Sequence, residues 1–359
     1  MPMTINPLPE DQRGHCPEEL VFGAAFSDHM FTQRYHAGDG WSDATIGPLH
    51  NLSLHPAAAV LHYSQEIFEG LKAYRRDDGG VNLFRPEANA ARFNRSAERM
   101  WMPTVDADFH VEAIRKLVAL DERWVPSREG ASLYLRPAMI ATSTKLGLGA
   151  AADYLHFIIC SPVGPYFAGG FEPVSVDVSD VLRRAVKGGV GEAKTGGNYA
   201  ASLKASESAA RDGFTQVLWL DAVEGRYVEE VGAMNIFFVY RGEELVTPSL
   251  SGSILGGITR DSILQLAPRL GLGARDERVD INQVIADIEA GEITEVFGAG
   301  TAAVVSPVGQ LRYRGVVHTI NDNQSGPVAS RLLKTLTDIQ YGRADDPFGW
   351  VCPVEDTPA

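Results

Sequence analysis

Lysine 194 lies in a run of small residues, Gly188-Gly189-Val190-Gly191-Glu192-Ala193-Lys194-Thr195-Gly196-Gly197. Glycines let a ligand approach the backbone closely. An amine set among small side chains can be partly desolvated, which favours its neutral, nucleophilic form. The chemistry this suits is imine formation with a carbonyl. Taken alone, the same run also describes a surface turn with a solvated lysine. It is not a phosphate-binding P-loop, which needs glycine directly before the lysine; Ala193 stands there. Gly147-Leu148-Gly149-Ala150 lacks a clear preceding strand and the third glycine of a dinucleotide fingerprint.

A second constellation follows. Glu230-Val231-Gly232-Ala233-Met234-Asn235-Ile236-Phe237 is succeeded by Val246-Thr247 and then by Leu255-Gly256-Gly257-Ile258-Thr259-Arg260. These spaced elements, in this order, resemble the signature of the class IV aminotransferases, pyridoxal 5′-phosphate (PLP) enzymes of fold type IV. The likeness extends through Phe26-Ser27-Asp28-His29-Met30, His62-Tyr63-Ser64-Gln65, Phe68-Glu69-Gly70-Leu71-Lys72-Ala73, Leu133-Tyr134-Leu135-Arg136-Pro137, Lys194 to Tyr199 and Gly298-Ala299-Gly300-Thr301-Ala302. Together they look like the branched-chain amino acid aminotransferases, in particular the longer subgroup that includes the animal enzymes. About twenty N-terminal residues and the extreme C-terminus fall outside the likeness.

The resemblance implies a set of roles. Lys194 would bind the PLP carbonyl and act as the catalytic base and acid. Glu230 would keep the pyridine nitrogen protonated, and Tyr199 would donate to the phenolic oxygen. Arg92, Ile258, Thr259 and Thr301 would hold the phosphate, helped by backbone N–H groups at a helix start. Phe22, Phe68, Tyr134 and Tyr166 would line an apolar substrate pocket, with Thr301 and Ala302 beside it. Tyr63 and Leu148 would enter from a second subunit, so a homodimer is implied. Arg136 would serve the carboxylate of glutamate. The implied reaction is transamination of L-leucine, L-isoleucine and L-valine with 2-oxoglutarate, giving branched-chain 2-oxo acids and L-glutamate. D-amino acid aminotransferases and aminodeoxychorismate lyases share the lysine and glutamate segments, but usually lack the stretches around Phe26 to Met30 and Tyr63. Animal relatives carry a redox-active C-x-x-C where this chain has Ala303 and Ser306, which rules out thiol control there. Ala233 replaces a threonine frequent in close relatives.

The elements that must position these residues are mixed α/β or α+β, without a clean βαβ repeat. Strands are expected at Asp28 to Tyr35, Leu71 to Tyr74 and Val81 to Phe84, the last two flanking an Asp78-Gly79 hairpin turn. Pro86 suits a first helical position before Ala88 to Met100, and Phe109 to Trp124 has helical spacing. Strands follow at Ser132 to Ile140, Tyr154 to Cys160 and Pro173 to Val178. A helix is expected from Asn198, as its cap, to Asp212. Further strands are expected at Gln216 to Leu220, Ile236 to Tyr240 and Glu244 to Val246. Thr259 precedes a helix, Arg260 to Leu270; a strand, turn and strand then span Thr294 to Ser306. The Pro/Gly-rich stretch from Ser161 to Gly170 marks a linker. The expected division is a smaller N-terminal α/β domain, 1–164, an interdomain loop, 165–173, and a larger PLP domain, 174–359. The resemblance gives the larger domain a pseudo-barrel sheet core.

Bulk properties narrow the partners. A chain of 359 residues suits two domains, and 45% hydrophobic with 22% charged residues is ordinary for a soluble protein. A net charge of -14 with scattered basic residues argues against nucleic acid. The three cysteines and nine histidines show no metal-site spacing, so no metal is expected. The first twenty residues have no apolar signal-peptide core, and no apolar run approaches a membrane span. The expected compartment is cytoplasmic and the expected ligands are small amino acids and 2-oxo acids.

Overall fold

The computed structural model describes residues 2–164 and 171–355. It divides into two compact units. The first comprises Met1–Tyr166, Ala193–Gly196 and Asp338–Ala359; the second comprises Phe167–Glu192 and Gly197–Thr337. The lysine segment is thus gathered into the first unit although its chain neighbours belong to the second.

The first unit is built on a nine-stranded sheet. Its order runs Thr4–Ile5, Gly40–Pro48, His29–His36, Asp153–Val163, Ser132–Ala141, Leu71–Arg75, Val81–Phe84 and Val351–Val354, with Glu66–Phe68 paired to Ser132–Ala141. Along Ser132–Ala141, Leu133 and Leu135 enter a core with Leu71, Ala73, Leu83 and Ile158. Strand alternation turns Tyr134 and Arg136 to the opposite face. The core is closed by Ile114, Leu117 and Val118 of the helix Ala107–Leu120, capped by Asp106 accepting from the Phe109 N–H. The helix Pro86–Arg99 buries Phe93 and Ala97 against Ile67, Met139 and Tyr154.

In the second unit, six strands close on themselves. Val228–Val231 pairs with Gln216–Leu220, then in turn come Val174–Val178, Val304–Tyr313, Ile293–Gly300 and Met234–Tyr240, which pairs back to Val228–Val231. The ring leaves none of these six strands as a free edge, and it encloses a core including Val176, Leu218, Val231, Ile236, Phe238, Val296 and Leu311; Glu244–Pro248 and Gly273–Glu277 extend the sheet from Met234–Tyr240, and Val316–Thr319 extends it from Val304–Tyr313. Phe237 and Phe297, one residue out of phase with that core, stack at 5.1 Å. This is the mixed architecture with a barrel-like second half expected from the sequence.

Local departures have local causes. The stretch expected as one helix from Asn198 breaks into Gly196–Ala200 and Leu203–Arg211. Asn198 lies inside the first piece, where its side chain donates to the Val190 carbonyl at 2.8 Å instead of capping. The helix expected after Thr259 starts earlier, at Ile258, with Gly257 as its N-cap, and ends at Leu266 before a 3-10 turn, Ala267–Leu270.

Candidate active site

In the first unit, Lys194 is mounted on the end of the strand Glu66–Phe68. Its N–H donates to Ser96 Oγ at 3.0 Å and its carbonyl accepts the Phe68 N–H at 3.0 Å. Thr195 Oγ1 donates to the Glu66 carbonyl at 2.8 Å, and the Gly196 N–H donates to the Glu66 carboxylate. A side chain at Gly196 would place its Cβ 2.4 Å from Glu66 Oε1 and so push aside the carboxylate that the Gly196 N–H holds. Burial pushes the Glu66 carboxyl above the usual carboxylate range; the Gly196 N–H, Thr195 and Arg136 pull against this. These contacts fix the backbone on both sides of the lysine while its Nζ lies 4.6 Å from the Phe68 ring centroid.

Ser96 shares the helix Pro86–Arg99 with Arg92, one turn earlier on the same face. Arg92 donates from Nε and Nη2 to the two oxygens of Glu69 at 2.6 and 2.8 Å. Glu69 also accepts the Gly70 N–H at 3.1 Å. Both partners are buried, so this fork-to-fork pair fixes the guanidinium plane.

The aromatic residues form the adjoining wall. Arg136 lies 4.7 Å from the Phe68 ring and donates to the Tyr134 hydroxyl at 3.0 Å. Phe22 meets Tyr134 edge-on at 5.0 Å. A Cβ at Gly70 would come within 2.1 Å of the Tyr134 hydroxyl, so the tyrosine sits where only glycine allows it. Phe22, Phe68, Tyr134, Arg136 and Lys194 are therefore linked within one unit. Tyr63 and Leu148 are surface residues instead: the Tyr63 hydroxyl donates to the Leu146 carbonyl, and Leu148 is 83% exposed. Tyr166 lies outside the described residues.

In the second unit, Glu230 is buried on Val228–Val231, where Oε1 accepts the Leu255 N–H at 2.7 Å and Oε2 lies 3.2 Å from Arg184 Nε. Ile258 and Thr259 form the first turn of the helix Ile258–Leu266. Gly257 at its N-cap has no side chain to offer the N–H groups there, an arrangement suited to an external anion. Thr301 and Ala302 occupy the turn between Ile293–Gly300 and Val304–Tyr313, where Val304 takes a φ of 61°. A β-branched residue in that region is strained, and such strain is concentrated at functional turns. Tyr199 is half-buried in Gly196–Ala200, its carbonyl accepting the Ser202 hydroxyl at 2.7 Å.

The groups each unit carries are of the types PLP chemistry calls for: the first holds an amine fixed by its backbone and a fixed guanidinium, and the second a buried carboxylate, a phenol and a helix start suited to an anion. Among the described residues, no group of three or more His, Cys, Asp or Glu could hold a metal, and no helix is long and apolar enough to cross a membrane.

Sequence reasoning missed Glu66, Glu69, Ser96 and Arg184. Their contacts span long separations: 130 residues from Glu66 to Gly196 and 98 from Ser96 to Lys194. The one local signal was Glu66 and Glu69, two carboxylates in an apolar strand segment, where unpaired charge would be costly.

A model of the class IV amino-transferases matches residues 66–311. The chain is 51% identical over 339 residues to the branched-chain-amino-acid transaminase 1 of Bacillus subtilis, covering 94% of this chain and 95% of that one. It is 52% identical over 349 residues to a probable branched-chain-amino-acid aminotransferase of Streptomyces coelicolor, covering 97% and 96%. The crystal structure of the Escherichia coli branched-chain amino acid aminotransferase superposes with a TM-score of 0.75 at 27% identity, covering 90% of this chain and 99% of that chain. The fold is also that of the branched-chain amino acid aminotransferase from Thermobaculum terrenum in its PLP form, with a TM-score of 0.72 at 24% identity, covering 90% and 98%.

Proposed function

The chain belongs to the class IV aminotransferases, and on that premise we propose that it transfers the amino group of L-leucine, L-isoleucine and L-valine to 2-oxoglutarate, with PLP as cofactor. When bound, PLP supplies an electron-accepting ring that takes up the charge left by a departing Cα proton. Lys194 Nζ would hold the cofactor through its carbonyl carbon and, once displaced there by the substrate amine, would be free to take the Cα proton as base and deliver it as acid to that cofactor carbon. Glu230 would hold the proton on the ring nitrogen, and the Tyr199 hydroxyl would donate to the phenolic oxygen. The phosphate would be held by the first turn at Ile258 and Thr259 with Thr301, and by Arg92.

The observation that carries this reading is the mounting of Lys194 beside the Phe68, Tyr134 and Phe22 wall. An amine held against aromatic faces suits an aliphatic side chain next to the reacting carbon. Arg136, bonded to the Tyr134 hydroxyl, offers the cation for the second carboxylate of glutamate. The family resemblance assigns Tyr166 and Ala302 to substrate binding as well. The exposure of Tyr63 and Leu148 supports a homodimer in which each subunit lends them to its partner's site. The reading places the enzyme in the cytoplasm.

Lys194→Ala tests the central residue. Turnover of L-leucine with 2-oxoglutarate is abolished while near-UV circular dichroism keeps its native shape. Near-wild-type turnover would refute the assignment. Turnover of D-alanine and not L-leucine by the unaltered chain would move it to the D-amino acid branch of the fold.

A further inference from the structure

The turn that leads into the helix Ile258–Leu266 is strapped to the barrel by side chains from two paired strands. Leu255 is held at both of its peptide groups: its N–H donates to Glu230 Oε1 at 2.7 Å, and its carbonyl accepts from Asn235 Nδ2 at 3.0 Å. Glu230 and Asn235 are register partners on Val228–Val231 and Met234–Tyr240. Two residues further on, Gly257 packs directly on the same amide: a Cβ there would lie 1.9 Å from Asn235 Oδ1. At the other end of the turn, Arg184 Nη2 donates to the Ser253 carbonyl while its Nε faces Glu230 Oε2 at 3.2 Å. Ser253 Oγ donates to Glu229.

We propose that Asn235 is a positioning residue for phosphate binding, fixing where the N–H groups of Ile258 and Thr259 point by holding Leu255 and abutting Gly257. This rests on the reading of that helix start as the phosphate end of the site. The buried amide acts on both sides of the turn, so its loss frees the Leu255 carbonyl and opens space beneath Gly257 at once. Backbone donors must be placed to within about half an ångström to serve a ligand well. The strap also gives Glu230 two tasks: the carboxylate assigned to the ring nitrogen is the one that holds the phosphate-bearing turn. Nitrogen partner and phosphate anchor are thereby set at a fixed spacing by one pair of register-matched residues. A strand pair in a closed barrel resists the shear that would let that spacing drift.

The test compares PLP with pyridoxal, which has the same ring and aldehyde but no phosphate. Dissociation constants for both are measured on the cofactor-free full chain by absorbance titration, for wild type, Asn235→Ala and Asn235→Ser. The serine variant guards against failure of the alanine variant to fold, which near-UV circular dichroism monitors. The proposal expects PLP to weaken by roughly tenfold, the scale of one lost hydrogen bond, with pyridoxal unchanged. Equal weakening of both ligands, or no weakening of PLP, overturns it. Arg92→Ala and Thr301→Ala run alongside. If these narrow the preference for PLP over pyridoxal and the Asn235 variants do not, the role of Asn235 fails and the phosphate reading stands. If none of the variants narrows it, the phosphate reading fails and the proposal falls with it.

Discussion

Glu69→Gln removes one charge from an ion pair that water does not reach. The Glu69 side chain is fully buried and that of Arg92 is 6% exposed. Glutamine keeps the size of the side chain and one acceptor oxygen, so little packing is lost. What is lost is the counter-charge of a guanidinium held away from solvent, and breaking a buried pair in this way costs about 3–5 kcal/mol. At about 2–4 °C per kcal/mol for a chain of this order of size, the thermal midpoint of the cofactor-free protein falls by on the order of 10 °C. If Arg92 holds the phosphate, PLP returns the missing negative charge. The variant then gains more from PLP than wild type does, beyond the mass-action stabilisation common to both. The assay is a thermal melt of both proteins with and without saturating PLP. A drop of under about 3 °C without PLP would show that the pair is not electrostatically isolated. An equal drop in both conditions would show that the phosphate does not reach Arg92.

Gly70→Ala forces Tyr134 from its place, because the added Cβ would lie 2.1 Å from the hydroxyl. The KM for L-leucine rises roughly tenfold with a smaller change in kcat, a shift of the size one pocket contact controls; an unchanged KM in steady-state kinetics removes Tyr134 from the substrate's wall. His110 and His156 stack at 5.0 Å, and their four ring nitrogens make no hydrogen bond among the described residues. Burial pushes His110 down to about 4, against a weaker upward pull from Glu69, and pushes His156 well below its ordinary value. The folded state therefore binds fewer protons than the unfolded one below pH 6.5 or so. Stability is full above that pH and is lost as pH falls toward 4, by on the order of 3 kcal/mol for His110. His110→Phe flattens this acid limb in urea unfolding across that range; an unchanged limb contradicts the assignment.

The sequence and the structure agree best where the chemistry and its supporting pattern are local. The glycine-rich run, the Glu230 to Arg260 signature and the Asp78-Gly79 hairpin are contiguous signals, and the elements around them appear within a few residues of where the pattern puts them. Barrel closure was not legible from periodicity, because the pairing of Val174–Val178 with Val304–Tyr313 joins strands far apart in the chain. The mount of Lys194 was hidden for the same reason: its partners Ser96, Glu66 and Phe68 come from elements about 100 residues or more upstream. Asn198 shows a different limit. Its residue type signals a helix cap, but the Val190 carbonyl competes for the same side chain, and that competitor is placed only by the fold.

The most direct test of the account is the visible absorption spectrum of the PLP-loaded protein. The account predicts a band from cofactor joined to Lys194 that is bleached by L-leucine, restored by 2-oxoglutarate and left unchanged by D-alanine. Bleaching by D-alanine alone, or no band even after PLP is added, would contradict it.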